Sequence, residues 1–430
     1  MNNIDVLLGL QWGDEGKGKV VDVLTPHYDI IARFNGGPNA GHTLEFNGMK
    51  HVLRTIPSGI CHKDKTNVIG NGVLIEPNIF MQEIKSLQDK GFNPQDNLLI
   101  SRKAHLILPT HRLTDAANEK SKGDRKIGST LKGIGPAYTD KIARTGLRVG
   151  DLSAKDFDAK YNALKNLHIR HIESLGYKAE DFLIEEKTLA QYEQLWMQAA
   201  EELKKLQIID TEYFINENLQ QGKKILAEGA QGTMLDIDFG SYPFVTSSST
   251  VTAGVCSGLG VAPQNIGRVF GIVKAYCTRV GSGPFPTELF DKTGEELCEK
   301  GHEFGSVTGR KRRCGWLDMP ALKYACMING VTDLMLMKID VMDSFDKVKI
   351  CTGYIMEGNK TEKLPYNMER EIVPVFEEFD GWKQDVSKTK HYEDLPLQMQ
   401  TYIQAIERMT SLPVSMVSVS PDRNDTIIRN

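Results

Sequence analysis

Apolar and polar positions follow two periods along the chain. Ile4-Asp5-Val6-Leu7-Leu8-Gly9 is a short apolar run ending at glycine, which predicts a buried strand feeding a turn. Lys224-Ile225-Leu226-Ala227, Val269-Phe270-Gly271-Ile272-Val273 and Leu334-Met335-Leu336-Met337 have the same character. Helical spacing appears elsewhere. Val20 to Leu24 can open a helix after the first glycine-rich turn, and Pro77 suits a first helical position, with Phe80, Ile84 and Leu87 following. From Asp151 to about Gly222 the chain is charged and nearly glycine-free, and Leu195, Ala199 and Leu203 recur every fourth residue. This stretch reads as a helical insertion in an α/β body. Val348 to Ser411 is mixed and carries no clear chemical signal.

Composition narrows the function classes. With 52 Lys+Arg against 56 Asp+Glu in 430 residues, no concentrated basic surface is expected for a nucleic-acid polymer. No apolar run approaches the ~20 residues that span a bilayer, and the N-terminal residues lack the pattern of a secretory signal. Seven cysteines without a C-x-x-C pair read as reduced thiols, so a cytoplasmic enzyme is expected. Glycine is clustered, at 9 to 18, 36 to 48, 128 to 150, 229 to 240, 254 to 271 and 281 to 283. Such clusters mark sharp turns or close approach to a ligand. In the first, Gly13 and Gly18-Lys19 have the spacing of a phosphate-binding loop, with Gly16 and Lys17 between them. The residue after the lysine is Val20, where such loops carry a magnesium-binding hydroxyl. Asp14 is the nearest alternative hard donor. The second cluster, Arg33-Phe34-Asn35-Gly36-Gly37-Pro38-Asn39-Ala40-Gly41-His42-Thr43, surrounds one histidine with glycines, a setting for a general acid.

Together, QWGDEGKGK and the histidine loop resemble the adenylosuccinate synthetase family. The resemblance continues through Gly128-Ser129-Thr130, Gly133 to Tyr138 and Asp140 to Arg144. It includes Glu228 to Thr233, Tyr242 to Ser248, Gly283 to Glu288, Thr308 to Trp316 and Ser418 to Arg423, so it covers essentially the whole chain in order. It implies one unit, 1–430, with a large, mostly parallel α/β sheet. Residues 1–100 plus 223–265 would form the nucleotide-binding core, 101–222 a mainly helical insertion, and 266–430 a C-terminal α+β portion binding aspartate and guanine.

The activity implied is ligation of IMP and L-aspartate, driven by GTP through a 6-phosphoryl intermediate, as the first committed step toward AMP. Asp14 would be the base and His42 the acid, with Lys17 at the transferring phosphoryl group. Magnesium would bind Asp14 and the Gly41 carbonyl. IMP would meet Asp14, Lys17, Asn39, His42, Thr130, Arg144, Gln231, Thr246 and Arg310. Arg144 would reach across a homodimer. Aspartate would meet Ser306, Val307, Thr308, Gly309, Arg310 and Arg312. GTP would meet Gly13, Gly16, Lys17, Gly18, Lys19, Gly41, Thr43, Arg312, Lys338, Asp340, Ser418 and Ser420. Asp340, at the end of an apolar run, suits a guanine reader, because a carboxylate accepts from both the ring N–H and the amino group. Ser420 stands where the family usually has glycine, which could alter that loop's backbone angles. A GTP-dependent switch protein with a modified phosphate loop stands as the alternative; Val20 and the histidine loop count against it.

Overall fold

The expected apolar runs become strands at the centre of one sheet. The computed structural model describes residues 3–46, 48–123, 126–305, 309 and 311–429. Its main sheet has ten strands: β1 (Ile4–Gly9), β2 (Ile30–Arg33), β3 (Thr66–Ile69), β4 (Leu98–Ser101), β5 (Gln207–Ile209), β6 (Ile225–Glu228), β7 (Ile266–Lys274), β8 (Asp333–Met337), β9 (Val414–Ser418) and β10 (Thr426–Ile428). They lie in the order β10-β9-β8-β7-β1-β6-β2-β3-β4-β5. Every neighbouring pair is parallel except β9 with β10. The fold is therefore α/β, and its inner strands are apolar on both faces because both faces are covered.

Connectivity places the site. The chain leaves β1 for β2 and winds outward to β5. It then returns to β6, between β1 and β2, before crossing to β7 and winding the other way. Loops at the carboxyl ends of β1, β2, β6 and β8 thus open along one edge, where the winding reverses, which is where open α/β sheets bind ligands.

Residues 101–222 contribute the helices Pro109–Ser121, Ile134–Ala143, Phe157–Ser174, Leu189–Leu203 and Thr211–Gln220, and also the edge strand β5. On Leu189–Leu203 the buried face is Tyr192, Trp196, Ala199, Ala200 and Leu203. Leu195, selected by fourfold spacing, is only partly buried, because the helix turns Trp196 inward instead. Trp196 is fully buried and its Nε1–H donates to the Ile107 carbonyl at 2.8 Å.

The chemically silent stretch after Val348 supplies structure. Lys347–Met356, Asn359–Thr361 and Val373–Asp380 join Tyr276–Arg279 and Arg313–Asp318 in a second sheet. One hydrophobic cluster runs from Ile4 and Val6 of β1 to Trp316, Val348 and Tyr402, so the two sheets share a core. The seven cysteines are free, and no described helix is long and apolar enough to cross a membrane.

Trp196→Ala should lower unfolding stability by about 3–5 kcal/mol, because a large buried side chain and its hydrogen bond are lost together. Urea unfolding at an unchanged m-value measures this; an unshifted midpoint would contradict the packing described.

Candidate active site

The first loop is organised by a residue that its motif does not advertise. Glu15 is completely buried. Its Oε1 accepts the N–H groups of Gln11 at 3.1 Å and Gly13 at 2.9 Å, and its Oε2 holds Lys17 Nζ at 2.5 Å. A Cβ on Gly9 or Gly232 would fall 2.3 or 2.4 Å from this carboxylate, so both glycines make room for it. Lys17 is thereby fixed at the start of helix α1 (Lys17–Leu24). That helix has no side-chain cap and no acidic residue in its first turn. Its first N–H groups are free to bind an anion such as a phosphate. Val20 is fully buried in a cluster with Leu7, Ile31 and Phe270. The position of the expected hydroxyl thus faces core.

His42 begins the hairpin strand His42–Phe46 and packs against α1, where a Cβ on Gly18 would lie 3.0 Å from His42 Cβ. Its Nδ1 lies 2.5 Å from Glu228 Oε1. Glu228 ends β6 and also accepts the Ser58 N–H at 2.8 Å and the Ser58 hydroxyl at 2.6 Å. Burial, reinforced by the Arg33 charge, pushes the His42 pKa down to about 4. The imidazole is therefore neutral at pH 7, donates from Nδ1 to Glu228 and presents a lone pair at Nε2. As an acid, His42 needs a second proton, which arriving negative charge would favour.

Three buried polar atoms lack a hydrogen-bond partner here: His42 Nε2, Asn39 Oδ1 and Gln231 Nε2. They come from loops after β2 and β6, and a Cβ on Gly36 would lie 3.4 Å from Gln231 Nε2. Buried polar groups are rarely left unpaired, so each of these atoms is a candidate to meet a polar ligand. Thr246 neighbours this group through Ser248, whose hydroxyl lies 3.4 Å from Gln231 Oε1.

A second buried carboxylate gathers the cations. Glu303 Oε1 receives Lys274 Nζ at 3.0 Å, the Tyr276 hydroxyl at 2.6 Å and Lys338 Nζ at 2.8 Å; its Oε2 receives Arg312 Nη1 at 2.5 Å. Burial alone would raise its pKa, but the three cations hold it well below the usual carboxylate range. Lys274, wholly buried, is pushed down to about 8 by desolvation. Arg312 Nε also pairs with Asp14 Oδ2 at 2.8 Å, so Asp14 and Lys338 are joined through Arg312 and Glu303. Asp14 Oδ1 has no hydrogen bond among the described residues, and Asp14 holds a left-handed backbone, φ 60.

At the loop expected to meet guanine, Lys19 turns away from the glycine-rich turn that precedes it. Its Nζ donates to Ser418 Oγ at 2.8 Å and to the carbonyls of Ser420 at 2.6 Å and Asp425 at 3.1 Å. Burial lowers its pKa to about 8 even with Asp340 and Asp425 nearby. Ser420 is absorbed into this loop: its φ is not left-handed and its hydroxyl donates to Asp425 Oδ2 at 2.6 Å. Lys338 follows β8 with φ 60, and its ammonium is committed to Glu303 and the Gly301 carbonyl. Its alkyl stem is the part left to lie against a ring.

Among the other expected residues, Thr130 is half-buried and Thr43 sits on the hairpin strand after Gly41. Gly309 has φ 66. Arg144 is exposed at the end of Ile134–Ala143; its backbone N–H caps the helix on the Lys141 carbonyl at 3.3 Å, and its guanidinium makes no hydrogen bond or ion pair among the described residues. Ser306, Val307, Thr308 and Arg310 lie outside the described residues. The organising residues that sequence reasoning passed over, Glu15, Glu228, Glu303, Lys274 and Arg33, are all buried charges. A signal existed for Glu228, an acid closing an apolar strand run.

The comparisons agree along the whole chain. The family model described as adenylosuccinate synthetase matches residues 6–427. The adenylosuccinate synthetase of Porphyromonas gingivalis is 58% identical over 429 residues, covering 100% of both chains. That of Flavobacterium johnsoniae is 57% identical over 427 residues, covering 99% of this chain and 100% of the relative. The fully ligated adenylosuccinate synthetase from Plasmodium falciparum superposes with a TM-score of 0.89 at 40% identity, covering 100% of each chain. A cyanophage S-2L succinoaminodeoxyadenylate synthetase, 20% identical with a TM-score of 0.62 over 100% of this chain and 95% of that one, shares the fold. With a site of this composition at the reversal edge of the sheet and full-length matches on every side, the chain belongs to the adenylosuccinate synthetase family, ligases that form a carbon–nitrogen bond.

Proposed function

We propose that this edge joins IMP to L-aspartate with GTP as the energy source, releasing GDP and phosphate. Membership of the family supports the reaction. The observation that supports its placement is the meeting, at the N-terminus of α1, of an anion cradle, the Lys17 ammonium, the Asp14 carboxylate and the unpartnered His42 Nε2. Asp14 takes the proton from N1 of the purine, and oxygen on carbon six attacks the γ-phosphoryl group. This turns a poor leaving group into phosphate. The amino group of aspartate then displaces that phosphate at carbon six. His42 bonds the oxygen or its phosphoryl group through Nε2. It carries a proton there once charge has arrived, with Glu228 stabilising the imidazolium from Nδ1. Lys17, steered by Glu15, stabilises the transferring group.

Magnesium fits the donor set, since the Asp14 carboxylate and the Gly41 carbonyl are hard oxygens beside the cradle. They would hold it where it draws charge from the phosphates. Asn39, Gln231, Thr246, Thr130 and Arg310 take IMP, with Ser306 to Gly309, Arg310 and Arg312 on aspartate. Gly13, Gly16, Gly18 and Thr43 lie on the phosphates of GTP, and Asp340, Lys338, Ser418 and Ser420 on guanine. Here Lys19 acts through the 418–425 loop that it clamps. Arg144 serves the IMP phosphate of a second copy of the chain. The support is an exposed guanidinium beside Ile142, which is 77% exposed. Seven free thiols suit a cytoplasmic setting. The switch-protein reading is not favoured, because Val20 leaves no hydroxyl at the helix start.

Asp14→Asn should cut turnover by about 10³-fold or more while GTP binding stays within a few-fold. Following the ultraviolet change of the purine checks this; near-normal turnover would remove Asp14 as the base. The His42 imidazole should titrate near about 4 in the free protein and move upward when IMP and GTP are added. In Glu228→Gln it should stay low and turnover should fall about 10²-fold, because the opposite charge that favours the imidazolium is gone. NMR of the ring reports both, and a pKa unmoved by ligand would refute the conditional acid. Asp340→Asn should weaken use of GTP and improve use of xanthosine triphosphate, since an amide donates to the xanthine oxygen. Unchanged nucleotide preference in competition assays would take Asp340 out of the site.

A further inference from the structure

Away from the catalytic loops, one buried cluster has no part in the chemistry above. Asp140 lies on helix Ile134–Ala143, and its Oδ2 accepts from His111 Nε2 and His168 Nε2, each at 2.7 Å. The three ligand atoms lie within 4.8 Å of one another, close enough to suggest a metal centre. The tautomer of His111 speaks against that. The Leu108 N–H donates to His111 Nδ1 at 2.8 Å, so the ring proton sits on Nε2, the nitrogen that a metal would need bare. Burial also keeps this imidazole neutral, with its pKa lowered to about 4. His168 Nδ1 lies 2.7 Å from the Thr110 hydroxyl. The cluster is a hydrogen-bonded anchor: one carboxylate pins its helix to Pro109–Ser121 through His111 and to Phe157–Ser174 through His168.

Asp140 also governs the turn that follows. Its carbonyl accepts the N–H groups of Thr145 at 3.0 Å and Gly146 at 3.2 Å, and its Oδ1 accepts the Thr145 hydroxyl at 3.0 Å. Between them Arg144 is forced into the left-handed region, φ 67 and ψ 27. That conformation costs a non-glycine residue about 1 kcal/mol or more. An arginine serving only as surface charge needs neither a strained backbone nor a buried anchor one turn before it. We infer that the His111–Asp140–His168 cluster is a positioning device for Arg144: it fixes the helix end and closes the turn that aims the guanidinium at a nucleotide phosphate. This rests on the reading of Arg144 as an IMP ligand.

The test is a double-mutant cycle on the full chain, reading kcat and the KM values for IMP, GTP and aspartate. Asp140→Asn should raise KM for IMP roughly five- to twentyfold, with kcat and the KM for GTP within about twofold. Combined with Arg144→Leu it should add nothing to the loss from Arg144→Leu alone, because the device has nothing left to aim. His168→Gln, which keeps an N–H donor, should retain most of the affinity that His168→Leu loses. Independent, multiplying losses in the double mutant would mean that the cluster only stabilises the fold, and would overturn the inference. If Arg144→Leu itself leaves KM for IMP unchanged, the phosphate reading fails. If Arg144→Leu raises it and Asp140→Asn does not, the positioning role alone fails. Should Asp140→Asn not fold, Thr145→Val trims only the hydroxyl on Asp140 and decides the same question. A two- to threefold rise in KM for IMP is then expected, about one weak hydrogen bond, and no rise overturns the role.

Discussion

Much of this site hangs on carboxylates that water cannot reach. Glu303 is the extreme case: a fully buried anion that collects two lysines, an arginine and a tyrosine hydroxyl. Removing one partner of such a buried set typically costs about 3–5 kcal/mol, because the others keep their charge without compensation. The geometry this enforces is specific. Lys338 after β8 and Arg312 before the second sheet are tied to one point, and Arg312 carries the tie on to Asp14. Glu15 and Glu228 do the same for Lys17 and His42 on the other side. The orientation of Lys17, His42, Arg312 and Lys338 is thus set by anions behind them.

The cost of this arrangement appears in proton affinities. His42 is neutral because it is buried beside Arg33, although Glu228 lies against it. Lys274 holds its proton less tightly than a solvated lysine, even with Glu303 in contact. The charges at this edge of the sheet are held largely in internal pairs, Lys17 with Glu15, Arg312 with Asp14 and Glu303, and Lys274 and Lys338 with Glu303.

The fold was legible in the sequence where one rule dominates. Short apolar runs such as Ile4–Gly9 and Leu334–Met337 read as buried strands, and Pro77 with Phe80, Ile84 and Leu87 as an amphipathic helix, and the fold has them so. Legibility failed where burial depends on distant partners. Leu195 and Trp196 sit side by side on one helix, and it is the tryptophan that turns inward, packing on Tyr161 and donating to the Ile107 carbonyl, both distant in sequence. At the site, glycine-rich loops announced Asp14, Lys17 and His42 by local spacing. Glu303 and Lys274 gave no such notice, since an acid and a lysine acquire meaning only when a fold brings them together. Lys19 shows the converse, a motif lysine whose ammonium belongs to a loop formed by the last residues of the chain.

The position of β1 bears on how the chain comes to be folded. Ile4 pairs with Ile225 on one side and Ile266 on the other, so once β1 is made more than two hundred further residues must follow before either neighbour exists. At ~5–20 residues per second, that leaves an apolar segment with two open edges for roughly ten seconds or longer. Non-local pairing of this kind also slows closure once the chain is complete. The strand that leads into the glycine-rich turn at Gly13 is thus open to wrong pairing during synthesis. An apolar strand kept waiting for its neighbours in this way needs cover until the sheet can close.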